Sequence, residues 1–347
     1  MDLPKGVDFR LPEYRREVFL RFYEFHLKYR AHPGGVYYLM PYLAKVYDWD
    51  IETKLWYAFI NGCTQNPVTS LIILRRFPRA PLEDTLEIDK WFNENWHQLP
   101  FDTDRRYQKK DFPAAVVCYS NLVKEAGSQQ SLLVEDFNHL WNLVRKQFYS
   151  FGRLATFSYL EYLRIMGLGI DCPSLFMRDM SGSKSHRNGL AKVLGRDDLD
   201  WHKSTDFDGK YGPGEIDWLI EEGEKLLAEA RARFAGRDFI HDVDYFTLES
   251  TLCCYKGWYR KNRRYPNIYN DMLRDRIVAA QKLWPQEDLQ VFWDAREAYL
   301  PCKLRVEDCP RDPGLKAAKQ NHFRDTGQVV MMDHEWPCFE NDRSWEI

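Results

Sequence analysis

Apolar positions recur every three to four residues along most of the chain, and runs that alternate apolar with polar are nearly absent. That period predicts an all-α protein. Tyr14–Tyr29 is a strongly amphipathic stretch that His32-Pro33-Gly34-Gly35 ends. Shorter helices are expected over Val36–Tyr47, Ile51–Ile60, Val68–Phe77, Leu86–Trp96, Phe112–Glu125, Glu135–Ser150 and Leu154–Met166. Asn66-Pro67 is the cue for an N-cap with proline in the first helical position. Phe101–Tyr107 is a polar connection, and Gly167–Ser185 is irregular. Helices are then expected over His186–Leu194, Glu215–Phe234, Glu249–Arg263, Asn267–Leu283 and Leu289–Tyr299. After Pro301 the period fades and prolines multiply. Residues 1–300 therefore read as one helical body, with a sub-boundary admissible near residue 100, and residues 301–347 as an irregular C-terminal extension.

Charge alters this picture only locally. The net charge of −3 argues against a uniformly basic nucleic-acid binder but leaves room for a basic groove. No run approaches the roughly 18 apolar residues of a membrane helix, and the first residues lack an apolar core of signal-peptide length. A cytosolic protein with no membrane partner is expected, its eight cysteines mostly reduced.

Glu249–Arg276 concentrates the reactive side chains. On a helix, Glu249, Cys253, Lys256, Arg260 and Arg263 share one face, while Leu248, Leu252, Tyr255 and Tyr259 form an inward stripe beside it. Arg264, Arg274 and Arg276 follow, with Tyr265 and Tyr269 between them. Cations interleaved with aromatics suit a ligand bearing phosphates and flat bases. An ordinary solvated helix face is the competing explanation. Arg75, Arg76 and Arg79, and Arg105, Arg106, Lys109 and Lys110, are further clusters able to neutralise phosphate. Helix-dipole compensation explains the first equally well, and a solvated loop the second.

Ser181–Gly189 (SGSKSHRNG) sets small residues before a helix, so backbone N–H groups there can face an anion, with Lys184 and Arg187 adding charge. Plain N-capping by serine is the alternative, and no P-loop spacing occurs. Met166-Gly167-Leu168-Gly169 reads either as a helix stop or as a phosphate-binding hairpin, in which case Asp171 or Asp179 is the acid to inspect. Cys302, Cys309, His322, His334 and Cys338 fit no compact metal pattern, so neither a cofactor nor a resident metal is expected.

Four stretches together resemble the phage amino acid:DNA transferases, also called alpha-glutamyl/putrescinyl thymidine pyrophosphorylases. They are FINGCTQNPVTSLIILRRFP (Phe59–Pro78), FGRLATFSYLEYL (Phe151–Leu163), SGSKSHRNGLAKVLG (Ser181–Gly195) and ESTLCCYKGWYRKNRRYPNIYNDMLRDR (Glu249–Arg276). The likeness extends to the helical domains of hydroxymethyluracil DNA kinases and implies a helix-hairpin-helix, DNA-glycosylase-like body. The activity it implies is displacement of pyrophosphate from 5-pyrophosphoryloxymethyluracil in phage DNA by the amine of an amino acid or polyamine. That reaction follows a hydroxymethyluracil DNA kinase and takes place in the cytoplasm of the infected bacterial host.

The chemistry that the resemblance implies assigns work to named residues. Lys184, Ser185, Arg187, Asn188, Arg260 and Arg264 would meet the departing pyrophosphate. Glu249 or Asp104 would take the proton of the amine, with Lys256 on the same face. Cys253 would serve a covalent route through C6 of the uracil, with Cys118 and Cys254 as fallbacks, and direct displacement competes with that route. Arg75, Arg76, Arg105, Arg106, Arg153, Arg263 and Tyr265 would contact DNA, although Arg153 could instead pair with Glu161. Tyr159, Tyr162, Trp258 or Tyr265 could stack on an extruded base. A non-catalytic DNA-binding module and a glycosylase-like enzyme acting on modified bases are the competing functions.

Overall fold

The structure is a computed structural model in which residues 11–30, 35–134, 136–175, 185–199, 213–255 and 272–299 are described. Among these residues there is no strand. The helices are α1 (Pro12–Tyr29), α2 (Val36–Val46), α3 (Ile51–Thr64), α4 (Pro67–Arg76), α5 (Leu86–Asn95), α6 (Phe112–Ala126), α7 (Gln129–Leu132), α8 (Phe137–Gln147), α9 (Arg153–Ile165), α10 (Ser185–Val193), α11 (Pro213–Arg233), α12 (Tyr245–Tyr255), α13 (Met272–Leu283) and α14 (Gln290–Tyr299). The all-α expectation holds. The tail from residue 301, Lys184 and the stretch from Lys256 to Asp271 lie outside the described residues. No described helix is long and apolar enough to cross a membrane.

The chain forms two compact units. The first takes residues 1–35, 172–271 and 297–347, so among the described helices it holds α1, α10, α11 and α12; the second takes residues 36–171 and 272–296, with α2–α9, α13 and most of α14.

In the first unit, α1 contributes Val18, Phe19, Phe22 and Tyr23 to a core completed by Leu190, Leu219, Leu226, Phe234, Leu248, Leu252 and Tyr255. The Phe19 and Tyr255 rings meet edge-on at 5.2 Å. Polar tips inside this core are bonded, as burial requires. Tyr255 donates from its hydroxyl to the Arg15 carbonyl at 3.0 Å, and the Tyr23 hydroxyl lies 2.6 Å from Thr247 Oγ1. α10 and α12 approach so closely at Gly189 that a Cβ there would overlap the Leu252 carbonyl. Only glycine permits this crossing.

The second unit is built round Trp56, Phe59, Tyr119, Phe148, Phe151 and Tyr159. Asn66 caps α4 as expected: its Oδ1 accepts from the N–H groups of Val68 and Thr69, and Pro67 occupies the first turn. The polar connection Phe101–Tyr107 is not featureless. It contains the 3-10 turns Thr103–Tyr107 and, just after it, Lys109–Asp111. The short helix α7 had no signal in the apolar period. At the end of α9, Gly167 takes φ 103°, its N–H donates to Arg164 O, and Leu168 N–H reaches back to Leu163 O. This pattern terminates a helix. No helix begins among the described residues 167–175, so Met166–Gly169 is a helix stop and not a tight hairpin between two helices.

Candidate active site

α12 was expected to carry an inward apolar stripe beside an outward reactive one. Its Leu248, Leu252 and Tyr255 are indeed fully buried, but Glu249 is also only 4% exposed. Thr247, Ser250 and Thr251 are buried too, so α12 is surrounded on nearly every side. What covers Glu249 is α10. One turn before the Gly189 crossing stands His186, and one turn before Leu252 stands Glu249, because residues three apart share a helix face. His186 Nδ1 lies 3.2 Å from Glu249 Oε1, with the two side chains 0% and 6% exposed. The pair is within ion-pair distance without hydrogen-bond geometry, so a small rotation of either side chain is needed before the carboxylate can accept from Nδ1. The Ser/Gly-led helix and the Glu249 helix, some sixty positions apart in the sequence, thus converge within the first unit.

The same helix brings cations inside. Arg187 is fully buried, Asn188 and Lys192 nearly so, and Ser185 is half-buried at the first turn. Asp197 receives both Arg15 nitrogens at 2.8 and 3.0 Å and Lys192 Nζ at 2.7 Å. Burial works to raise the Asp197 pKa, but these hydrogen bonds outweigh it and hold the carboxyl below its usual range. Cys253, four residues after Glu249, is partly exposed, and Cys254 is buried. Lys184, Lys256, Arg260, Arg263, Arg264, Trp258 and Tyr265 lie outside the described residues.

The remaining sequence candidates belong to the second unit. Asp104 is exposed on the Thr103–Tyr107 turn, where it accepts from Thr103 Oγ1 at 3.2 Å. Arg105 is a correction to the solvated-loop expectation, since it is 2% exposed. Its guanidinium donates to Cys63 O at 3.0 Å and Ser150 O at 2.6 Å, and it lies over the Phe151 ring. Those partners occupy it in holding the fold together, so it is not presented to a phosphate. Arg106 is exposed and donates to Thr103 O. Arg153, read as a DNA contact or a Glu161 partner, is 1% exposed beside the Phe157 ring, while Glu161 accepts from Tyr37. Burial removes Arg153 from a DNA-facing surface.

Arg75 bonds Glu287, the Asp288 carbonyl and Tyr47, and Arg76 pairs with Glu87 at 2.6 Å. Cys118 donates its thiol to Gln147 O. Tyr159 packs among Phe59, Phe148 and Phe151, as a core aromatic does. Burial pushes its hydroxyl, and that of Tyr162, well above the usual phenol range.

Nothing in the spacing along the sequence singles out His186. A lone histidine carries little signal by itself; the small residue three positions on, Gly189, marks the helix face on which it sits.

A model of the family described as amino acid:DNA transferase matches residues 35–265. A curated relative, the protein named serinyltransferase of Salmonella phage ViI, is 30% identical over 366 aligned residues, covering 98% of this chain and 87% of its own. No solved structure matches.

Proposed function

The chain belongs to the amino acid:DNA transferase family, and we propose that it joins the amine of an amino acid to a thymine derivative in phage DNA by displacing pyrophosphate from a 5-pyrophosphoryloxymethyluracil. A new C–N bond forms at the exocyclic carbon. The C–O bond to pyrophosphate breaks, the leaving group takes the bonding pair, and one amine proton passes to a base. The observation that carries this reading is the buried His186–Glu249 contact at 3.2 Å. A carboxylate-backed imidazole in a dry interior is equipped to accept the proton of an incoming amine. Glu249 then acts chiefly through His186, while Asp104 is exposed in the other unit and less suited to the task.

The anion that departs needs donors aimed at it. Half-buried Ser185 at the start of α10 can supply one, with Lys184, Arg260 and Arg264 as further members of the set, whereas Arg187 and Asn188 on the same helix are as buried as Arg153 and would have to be uncovered to take part. Cys253 offers a covalent alternative through C6. The name of the phage ViI relative makes serine the first donor to try, with glycine, glutamate and putrescine beside it. The protein would act in the cytoplasm of the infected host, after a kinase has pyrophosphorylated hydroxymethyluracil in the DNA.

The test is direct. Pyrophosphorylated DNA is supplied with and without serine, pyrophosphate release is followed, and the digested nucleosides are weighed by mass spectrometry. Pyrophosphate release that depends on the amine, together with a heavier nucleoside, is expected. Abasic sites, or binding with no new nucleoside, would overturn the proposal.

A further inference from the structure

Only Gln65 and Asn66 separate α3 from α4. Gln65 closes α3 as its left-handed cap at φ 50°, its N–H donating to Asn61 O. Its side chain meets Thr103, itself at φ 53°: Thr103 Oγ1 lies 2.6 Å from Gln65 Oε1. Thr103 is the one β-branched residue with positive φ among the described residues. Thr103 is the strained partner of the pair, and its conformation is held by what surrounds it. Asp102 N–H donates to Thr64 O at 2.9 Å, Thr69 Oγ1 donates to Pro100 O at 2.7 Å, and Arg276 Nε donates to Asp102 at 2.6 Å. Strain kept in place by such a frame is a recurring mark of a functional position.

Gln65 is 7% exposed, and its Nε2 has no partner. Turning the amide over does not help, because one end then faces Thr103 and the other is still unmatched. An unmatched buried amide end costs stability unless a ligand meets it. Asn61, in the last turn of α3, repeats the pattern, with Ser70 Oγ on its Oδ1 and no partner for its Nδ2. Asp102 and Asp104 flank Thr103, so an anionic ligand is disfavoured there. A neutral edge that offers both an acceptor and a donor suits an amide best. The C4=O and N3–H edge of a uracil-type ring is such an edge, and amide side chains read base edges in this way.

We infer that Gln65 is a specificity-determining residue that reads the carbonyl and imide edge of the pyrimidine to be modified, with Thr103 as the positioning residue that aims it. This rests on the proposed function for the identity of the base.

The test compares binding of single-stranded oligonucleotides that differ in one base, 5-hydroxymethyluracil against 5-hydroxymethylcytosine, which exchanges the C4 carbonyl and N3–H for an amine and a bare nitrogen. The wild type should prefer the uracil, and Gln65→Leu should lose that preference by roughly tenfold or more while melting at the same temperature. Thr103→Gly, which relieves the backbone and removes the hydroxyl, should fold well and lose part of the preference. It keeps the question answerable if Gln65→Leu fails to fold. A wild type without preference, or variants that keep it, would overturn the inference. So would an effect confined to the KM of the amino acid. Pyrophosphate release by the wild type is scored separately, so the transfer reaction can stand if base reading by Gln65 falls.

Discussion

The carbonyl of Leu252 lies where a side chain at position 189 would begin, so α10 and α12 touch backbone to backbone. Everything proposed for the first unit depends on that contact, because His186 and Glu249 each stand one turn before it. Gly189→Ala should force the helices apart and destabilise the protein by at least about 2 kcal/mol, read by urea unfolding. Unchanged stability would mean that the two helices have room to spare.

Replacing Glu249 with Gln keeps the shape and removes the charge behind His186. Turnover should fall by about a hundredfold or more while DNA affinity is kept. His186→Ala should do the same. The double variant should be little worse than either single one, because the two side chains act as a unit. Full activity in Glu249→Gln would remove this residue from the mechanism.

Cys253→Ser separates the two routes of transfer. Near-normal rates eliminate the covalent path. Loss of turnover with intact DNA binding supports it, and trapping of a protein–DNA adduct in the wild type would be the independent check.

Acid should loosen the junction of α1 with α11. Burial tends to raise the pKa of Glu17, but hydrogen bonds from Arg233 and Arg21 outweigh it and bring the carboxyl down to about 2. A depressed carboxyl stabilises the fold above its unfolded pKa, and that stabilisation is lost as pH falls towards the folded value. The window thus runs from the ordinary glutamate range down to about pH 2. After allowance for solvent screening the effect is about 1–2 kcal/mol. Glu17→Gln should flatten the acid limb of a stability profile there; an unchanged limb would show that the pair contributes nothing.

Arg105 and Arg106 are neighbours in sequence with opposite fates. Arg105→Ala strands the carbonyls of Cys63 and Ser150 and should cost about 2–4 kcal/mol of stability. Arg106→Ala should leave stability alone, lower DNA affinity and reduce the salt dependence by about one ion. If both variants weaken DNA binding alike at unchanged stability, the distinction drawn from burial is wrong.

Local signals were legible in the sequence. Asn66 and Pro67 opened α4 where expected, and the spacing of Leu248, Leu252 and Tyr255 identified a truly buried stripe. What depended on distant partners was not legible. Arg105 looked like part of a solvated run because its acceptors, Cys63 and Ser150, lie 42 and 45 positions away. The period groups Glu249 with Cys253 on one face of α12, but it describes one helix and does not name α10 as the element laid across that face. The same limit hides His186, whose partner lies on another helix.

The first unit is assembled from both sides of the second, since residues 36–171 intervene between α1 and its partners. A ribosome therefore releases α1 long before α10 and α12 exist, although Arg15 needs Asp197 and Tyr255 needs the Arg15 carbonyl. Its apolar stripe must wait uncovered through more than half of synthesis, an interval in which a nascent chain is open to aggregation and to chaperones. A product cut short before α12 would lose the reacting groups and also leave the opening helix with nowhere to dock.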